Sequence, residues 1–190
     1  MFVVVCKRLI YFVHSPMDTT KHGLKDIICN LENNKSIFEN LLKDIPENQY
    51  LWRPKPEKWC LLEIVCHLLD EEIYDFRARV KHALEYPEKK LIPIDPEGWV
   101  NDKNYILNNY KSTLQSFLNE RANSVTWLKE LDVANWENSL LHPELGKLSA
   151  EQFLRNWLAH DYLHIRQILR YKFEFLKASS SISLSYAGNW

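Results

Sequence analysis

Glycine is scarce in this sequence: four in 190 residues, none near another. Dinucleotide-binding and phosphate-loop folds need glycine clusters where backbone meets phosphate, so both are excluded. Cysteine is equally sparse. Cys6, Cys29, Cys60 and Cys66 show no C-x-x-C spacing and no disulfide framework, which reads as reduced thiols in a cytoplasmic protein. A basic excess is missing too. With 24 Lys and Arg against 25 Asp and Glu, the chain lacks the electrostatic footprint of a nucleic-acid binder. No apolar run reaches the ~18 residues of a membrane span. The nearest, from Phe2 to Val13, is split by Lys7 and Arg8, and no small-residue cleavage site follows it. The expected partner is therefore a small molecule, neither nucleic acid nor membrane.

What is present is helical periodicity. Asp18, Thr19 and Thr20 offer N-cap oxygens, and Leu24, Ile27, Ile28, Leu31, Phe38, Leu41, Leu42 and Ile45 recur at three- and four-residue steps up to Pro46. Trp52, Pro54, Pro56 and Trp59 make a rigid connection whose indoles should pack over a bundle end. A second helix is predicted from about Cys60 to Leu84, and a third from Asn101 or Asp102 to about Leu131. A fourth opens at Ser149, whose capping box with Gln152 leads a helix to about Lys177. No period-2 pattern is long enough to compete as a strand. The expected fold is an all-α four-helix bundle over residues 18–177, with long loops between helices two and three and between three and four. Residues 1–17 read as an extension outside the core, and residues 178–190 as a polar, frayed tail.

Histidine carries the chemistry. His160 and His164 stand four apart, so both rings leave one face of a helix and can grip a single ion. Two ligands do not close a tetrahedral site; His67 on helix two is the available third. Three imidazoles with one open position suit a catalytic zinc, and nickel, iron or manganese are also compatible. On a helical wheel all three lie at the edges of their apolar stripes, which places the site in a cleft at the side or end of the bundle. Asp161 falls inside the apolar stripe of helix four and needs a partner: an imidazole or indole N–H, or an arginine, Arg121 or Arg77. Asp70, Glu71 and Asp161 are candidate bases, and Gln167, near His164, is a candidate for orienting a ligand. Glu71 lies four residues past His67, but a glutamate on a helix reads by default as solvated.

The ordered set Trp52-x-Pro54, Lys58-Trp59-Cys60, Glu63, His67-Leu68-x-Asp70-x-Glu72, Arg121, Trp136, His142-Pro143-x-x-Gly146 and Trp157-x-Ala159-His160-Asp161-x-x-His164-x-x-Gln167-Ile168 resembles the DinB/YfiT-like superfamily of four-helix-bundle metalloenzymes. The resemblance spans residues 25–177. It implies a divalent metal, zinc or nickel, on His67, His160 and His164, and often a homodimer. It implies a metal-dependent enzyme, either a hydrolase or a transferase using a low-molecular-weight thiol. A non-catalytic, metal-stabilised bundle serving dimerisation or a stress response is the alternative. Cys60 stands where the resemblance leads one to expect a small Ser or Thr at the helix start, so it should cap poorly.

Overall fold

The computed structural model describes residues 21–188. The expected N-terminal extension and the capping residues Asp18 to Thr20 lie outside the described residues. Four long helical rods form the body: α1 (Lys21–Leu42), a second rod built of α3 (Leu61–Asp70), a π-helical segment (Glu71–Phe76) and α4 (Arg77–Glu85), then α6 (Tyr110–Lys129) and α7 (Ala150–Ser179). Short helices α2 (Glu47–Tyr50) and α5 (Trp99–Asp102) sit in the connections. α1 packs against α6 and α7, α3 against α6, and α4 against α7, so the first and second rods face each other across the bundle. Among the described residues no helix is long and apolar enough to cross a membrane.

Local chemistry sets the rod ends. The Ser149 hydroxyl accepts from the Gln152 N–H at 3.1 Å and the Gln152 side chain accepts from the Ser149 N–H at 2.8 Å, closing the capping box. At the start of α3 the same arrangement is built with a thiol. Cys60 occupies the N-cap and Glu63 reaches back to its N–H at 2.9 Å. Arg53 holds Glu63 in place at 2.7 Å. The carboxylate thus compensates for the weak acceptor that sulfur makes. Tyr110 donates to the Leu42 carbonyl at 2.8 Å, satisfying an orphan acceptor at the end of α1.

Two expectations need correction. The third rod begins at Tyr110, not near Asn101. Asn104 is in the left-handed region at φ 47°, which breaks the helix after α5, and Asn109 then caps α6 through the Ser112 N–H at 3.0 Å. The loop before α7 also contains strands. β1 (Ser139–His142) and β2 (Gly146–Ser149) pair antiparallel, with His142 opposite Gly146. Gly146 turns the chain at φ +75°, where a side chain would be strained. Alternation is real here but hidden: Leu140 is buried while its neighbour Leu141 is three-quarters exposed. The tail beyond α7 holds a 3-10 turn at Ser185–Ala187.

The core has two apolar halves. One gathers Phe38, Leu42, Leu61, Val65, Phe117 and Ile168; the other gathers Leu31, Val80, Val125, Leu128, Leu154 and Trp157. Between them lies a dry polar layer to which every rod contributes. Arg121 donates to both oxygens of Glu72 at 2.9–3.0 Å and to both oxygens of Asp161 at 2.6 and 2.7 Å. Asn34 donates to Asp161 at 3.0 Å and the Trp157 indole to Glu72 at 3.1 Å. Arg121, Glu72 and Asp161 are at most 1% exposed. Satisfied on all sides, such a layer fixes the axial register of the rods, because sliding any one of them strands a charge.

Candidate metal centre

His67 projects from α3, and His160 and His164 project from one face of α7. The fold brings the three together: one ligand atom from each lies within 4.8 Å of the other two. His160 Nε2 and His164 Nε2 are 3.0 Å apart, and the His67 ring centroid is 5.0 Å from that of His164 and 5.6 Å from that of His160. Trp59 packs on His67 at 4.9 Å, and Phe76 on His160 at 4.8 Å, so aromatic walls orient the rings. Trp59 thus forms a wall of this cluster, whereas Trp52, partly buried against the core, sits edge-on to Tyr171 and Phe175. His67 and His164 are buried, and the side chain of His160 keeps 20% exposure, which leaves one side of the cluster open.

Burial disfavours the charged imidazolium. It is the main cause holding His67 down to about 3, helped by neighbouring His164 and opposed by the Pro96 carbonyl. Burial also lowers His160, helped by His164, His67 and Arg121. It lowers His164 against the opposing pull of the Gln167 side chain and then Asp161. Three neutral rings therefore face one another near pH 7. A neutral ring carries a single N–H, so the Nε2 atoms of His160 and His164, 3.0 Å apart, and a ligand atom of His67 can turn lone pairs toward one shared point. This donor set fits a divalent ion.

Glu71 is the residue that sequence reasoning undervalued. It is 4% exposed, its Oε1 has no partner among the described residues, and its Oε2 is 4.0 Å from His160 Nε2. Burial first and Asp75 second push its carboxyl up to about 9, against the pull of Arg79. Four-residue steps run His67, Glu71, Asp75, Arg79 along the second rod. In a regular helix such a row drifts around the axis, since four residues overshoot a 3.6-residue turn. The wider π-helical turns of Glu71–Phe76 offset that drift and keep the row on one side. Apolar neighbours in the sequence do not reveal this. The four-step row from His67 was the available signal.

The other candidates are dispersed. Asp161 is fully buried, with Arg121 and Asn34 on its oxygens. Of the partners expected for it, Arg121 is the one it takes, while Arg77 pairs with Glu120 at 2.7 Å. This geometry makes Asp161 a member of the register-fixing layer, with no free oxygen edge for a guest. Asp70 is clasped from the opposite side. Tyr105 donates to it and Lys103 pairs with it at 2.9 Å, while the same ammonium lies over Trp99 at 4.3 Å. Neighbouring helical residues diverge by about 100°, so Asp70 and Glu71 cannot both face the histidines. Gln167 is exposed, and its side chain is within hydrogen-bond reach of His164.

Comparison with known proteins agrees with this picture. The family model described as the DinB superfamily matches residues 30–168. Among solved structures, YfiT from Bacillus subtilis superposes with a TM-score of 0.74 at 18% identity, covering 85% of this chain and 93% of its own. That protein is described as a probable metal-dependent hydrolase with an unusual four-helix bundle topology. No curated protein matches the sequence significantly.

Proposed function

The chain belongs to the DinB superfamily, and from that premise we propose that it is a metal-dependent enzyme acting on a small molecule, with hydrolysis as its reaction. His67, His160 and His164 would hold one divalent ion, zinc or nickel. The observation that carries this reading is the convergence of three neutral imidazoles within 4.8 Å, open on the His160 side. When bound there, such an ion supplies Lewis acidity and lowers the pKa of water toward ~7. The rest is the chain's own work. Trp59 and Phe76 fix the rings of His67 and His160. The Gln167 side chain steadies His164. Glu71, beside His160 and shielded from solvent, is placed to take or give a proton at Oε2.

A bound cation would draw the Glu71 carboxyl down from about 9 toward its ionised form, and a carboxylate there favours hydrolysis over transfer of a low-molecular-weight thiol, because water attack needs a base and an ionised thiol does not. Thiol transfer remains the second reading, supported by family resemblance. A homodimer and a cytoplasmic setting belong to the same reading. Elemental analysis of untreated protein beside His160→Ala tests the site: the ion should be present in the first and lost in the second. Equal content would overturn the assignment. Incubation with a thiol and a chlorinated arene, followed by mass analysis, separates the two reactions. Loss of the ion on chelation with the fold intact separates both from a metal that merely stabilises the bundle.

A further inference from the structure

The three candidate ligands differ in what stands behind them. The Gln167 side chain reaches His164, and Glu71 stands beside His160. No polar side chain does this for His67 among the described residues. Its Nδ1 is buried without a completed hydrogen bond, and the acceptor set beside the ring is the backbone carbonyl of Pro96. An imidazole that gives one nitrogen to an ion needs an acceptor for the N–H on the other. A backbone acceptor is not steered by a rotamer, so its place depends on the path of the chain.

That path is fixed in two steps. Residues 86–98 join α4 to α5 without helix or strand. Within them, Asp95 to Gly98 make a tight turn around Pro96. The Asp95 carboxylate accepts from the Gly98 N–H at 3.0 Å, and the Asp95 carbonyl accepts from the Trp99 N–H at 3.0 Å. Proline fixes φ inside the turn. Gly98 has no room for a side chain: a Cβ there would stand 2.3 Å from the Asp95 carboxylate and dislodge it. Next, the end of α5 is clasped to the rod that carries His67. Lys103 pairs with Asp70 at 2.9 Å and lies 4.3 Å over Trp99 and 4.4 Å over Tyr74, while Tyr105 donates to Asp70. Asp70 and Tyr74 follow His67 in the same rod, so the ring and the turn are tied to one stretch of helix.

We propose that the Pro96 carbonyl orients the His67 ring on its ion, and that Asp95, Gly98, Lys103 and Asp70 are positioning residues that hold this carbonyl in place. This rests on the reading of the histidine cluster as a metal centre, and extends that centre into a loop that contributes no ligand. Asp70, one of the candidate bases, acts here through Lys103 and not on a substrate.

Zinc affinity of the full-length, metal-free protein, measured by competition with a chromophoric chelator, tests this. Asp95→Ala should weaken zinc binding at least about tenfold, the effect expected when the outer partner of a ligating histidine is lost. Asp95→Asn keeps an oxygen for the Gly98 N–H and should restore most of the affinity. Glu97→Ala, which removes an equal charge from the same turn, should bind as wild type. Lys103→Ala should also weaken binding, although removal of a positive charge by itself leaves cation binding unchanged or stronger. In zinc-loaded protein with nitrogen-15-labelled histidine, the His67 ring N–H should exchange slowly with solvent in the wild type and faster in Asp95→Ala. Wild-type affinity in either Asp95→Ala or Lys103→Ala, or equal weakening by Asp95→Asn and Asp95→Ala, would overturn the proposal. Asp95 is exposed, so its variants decide the question even where Lys103→Ala fails to fold. Zinc binding absent from the wild type would instead overturn the histidine assignment, and this proposal with it.

Discussion

Replacing Arg121 with methionine should cost more stability than any single truncation in the apolar core. The guanidinium makes five hydrogen bonds at 2.6–3.0 Å to two carboxylates that are 1% and 0% exposed, and a sixth, at 3.3 Å, to the Leu31 carbonyl. Methionine fills most of the space but answers none of these acceptors. Breaking one buried ion pair costs about 3–5 kcal/mol because the partner is left charged and dry. Two carboxylates are stranded here, so a loss of ~5 kcal/mol is expected, against a total of about 5–15 kcal/mol for a domain. Urea denaturation followed by far-UV circular dichroism measures it. Adding Glu72→Gln and Asp161→Asn to Arg121→Met should return much of the loss, since removing all three charges removes the stranded ones. A cost below about 1 kcal/mol for Arg121→Met alone would refute the claim that this layer locks the rods.

Other outcomes follow from the same geometry. Metal-free protein should lose stability on acidification. The buried histidines, His67 at about 3, take protons below their unfolded value of 6.5, so the unfolded chain binds more protons as pH falls through 6.5. The slope is at most about 1.4 kcal/mol per pH unit per ring, read from urea midpoints. Glu71 has the opposite sign: its folded carboxyl keeps a proton up to about 9 that the unfolded chain releases above 4.5, so stability also falls as pH rises through that window. A stability maximum near neutral pH should result, and Glu71→Gln should abolish the alkaline loss alone; an unchanged alkaline slope would reject the buried, protonated carboxyl. Ser149→Ala should cost about 1 kcal/mol through loss of the α7 cap, measured by thermal denaturation. Gly146→Val should cost at least about 1 kcal/mol because valine resists φ +75° at the hairpin turn.

The rods and the His160–His164 pair were legible in the sequence because both depend on short-range spacing, whereas His67 was reached as the remaining histidine on a facing helix and through the family resemblance. A three-and-four period reports one buried face whatever it packs against, and His160 and His164 share a face by helix geometry alone. The Ser149 capping box was legible for the same reason. Less accessible was anything set by tertiary partners. Glu71 reads as solvated until the packing against α7 and the π-helical turns are known. Asp161 announced itself as a carboxylate in an apolar stripe, yet only the fold selects Arg121 over Arg77 and brings Glu72 and Asn34 to the same layer. The hairpin escaped because Leu141 is apolar and outward, and the start of α6 because Asn104 interrupts a pattern that otherwise continues.

Titration of metal-free protein with zinc or nickel by calorimetry decides whether the three histidines hold an ion. One ion per chain is expected for the wild type, with loss of that binding in each of His67→Ala, His160→Ala and His164→Ala and the helical spectrum retained. Undiminished binding in the three variants, or none in the wild type, would contradict it.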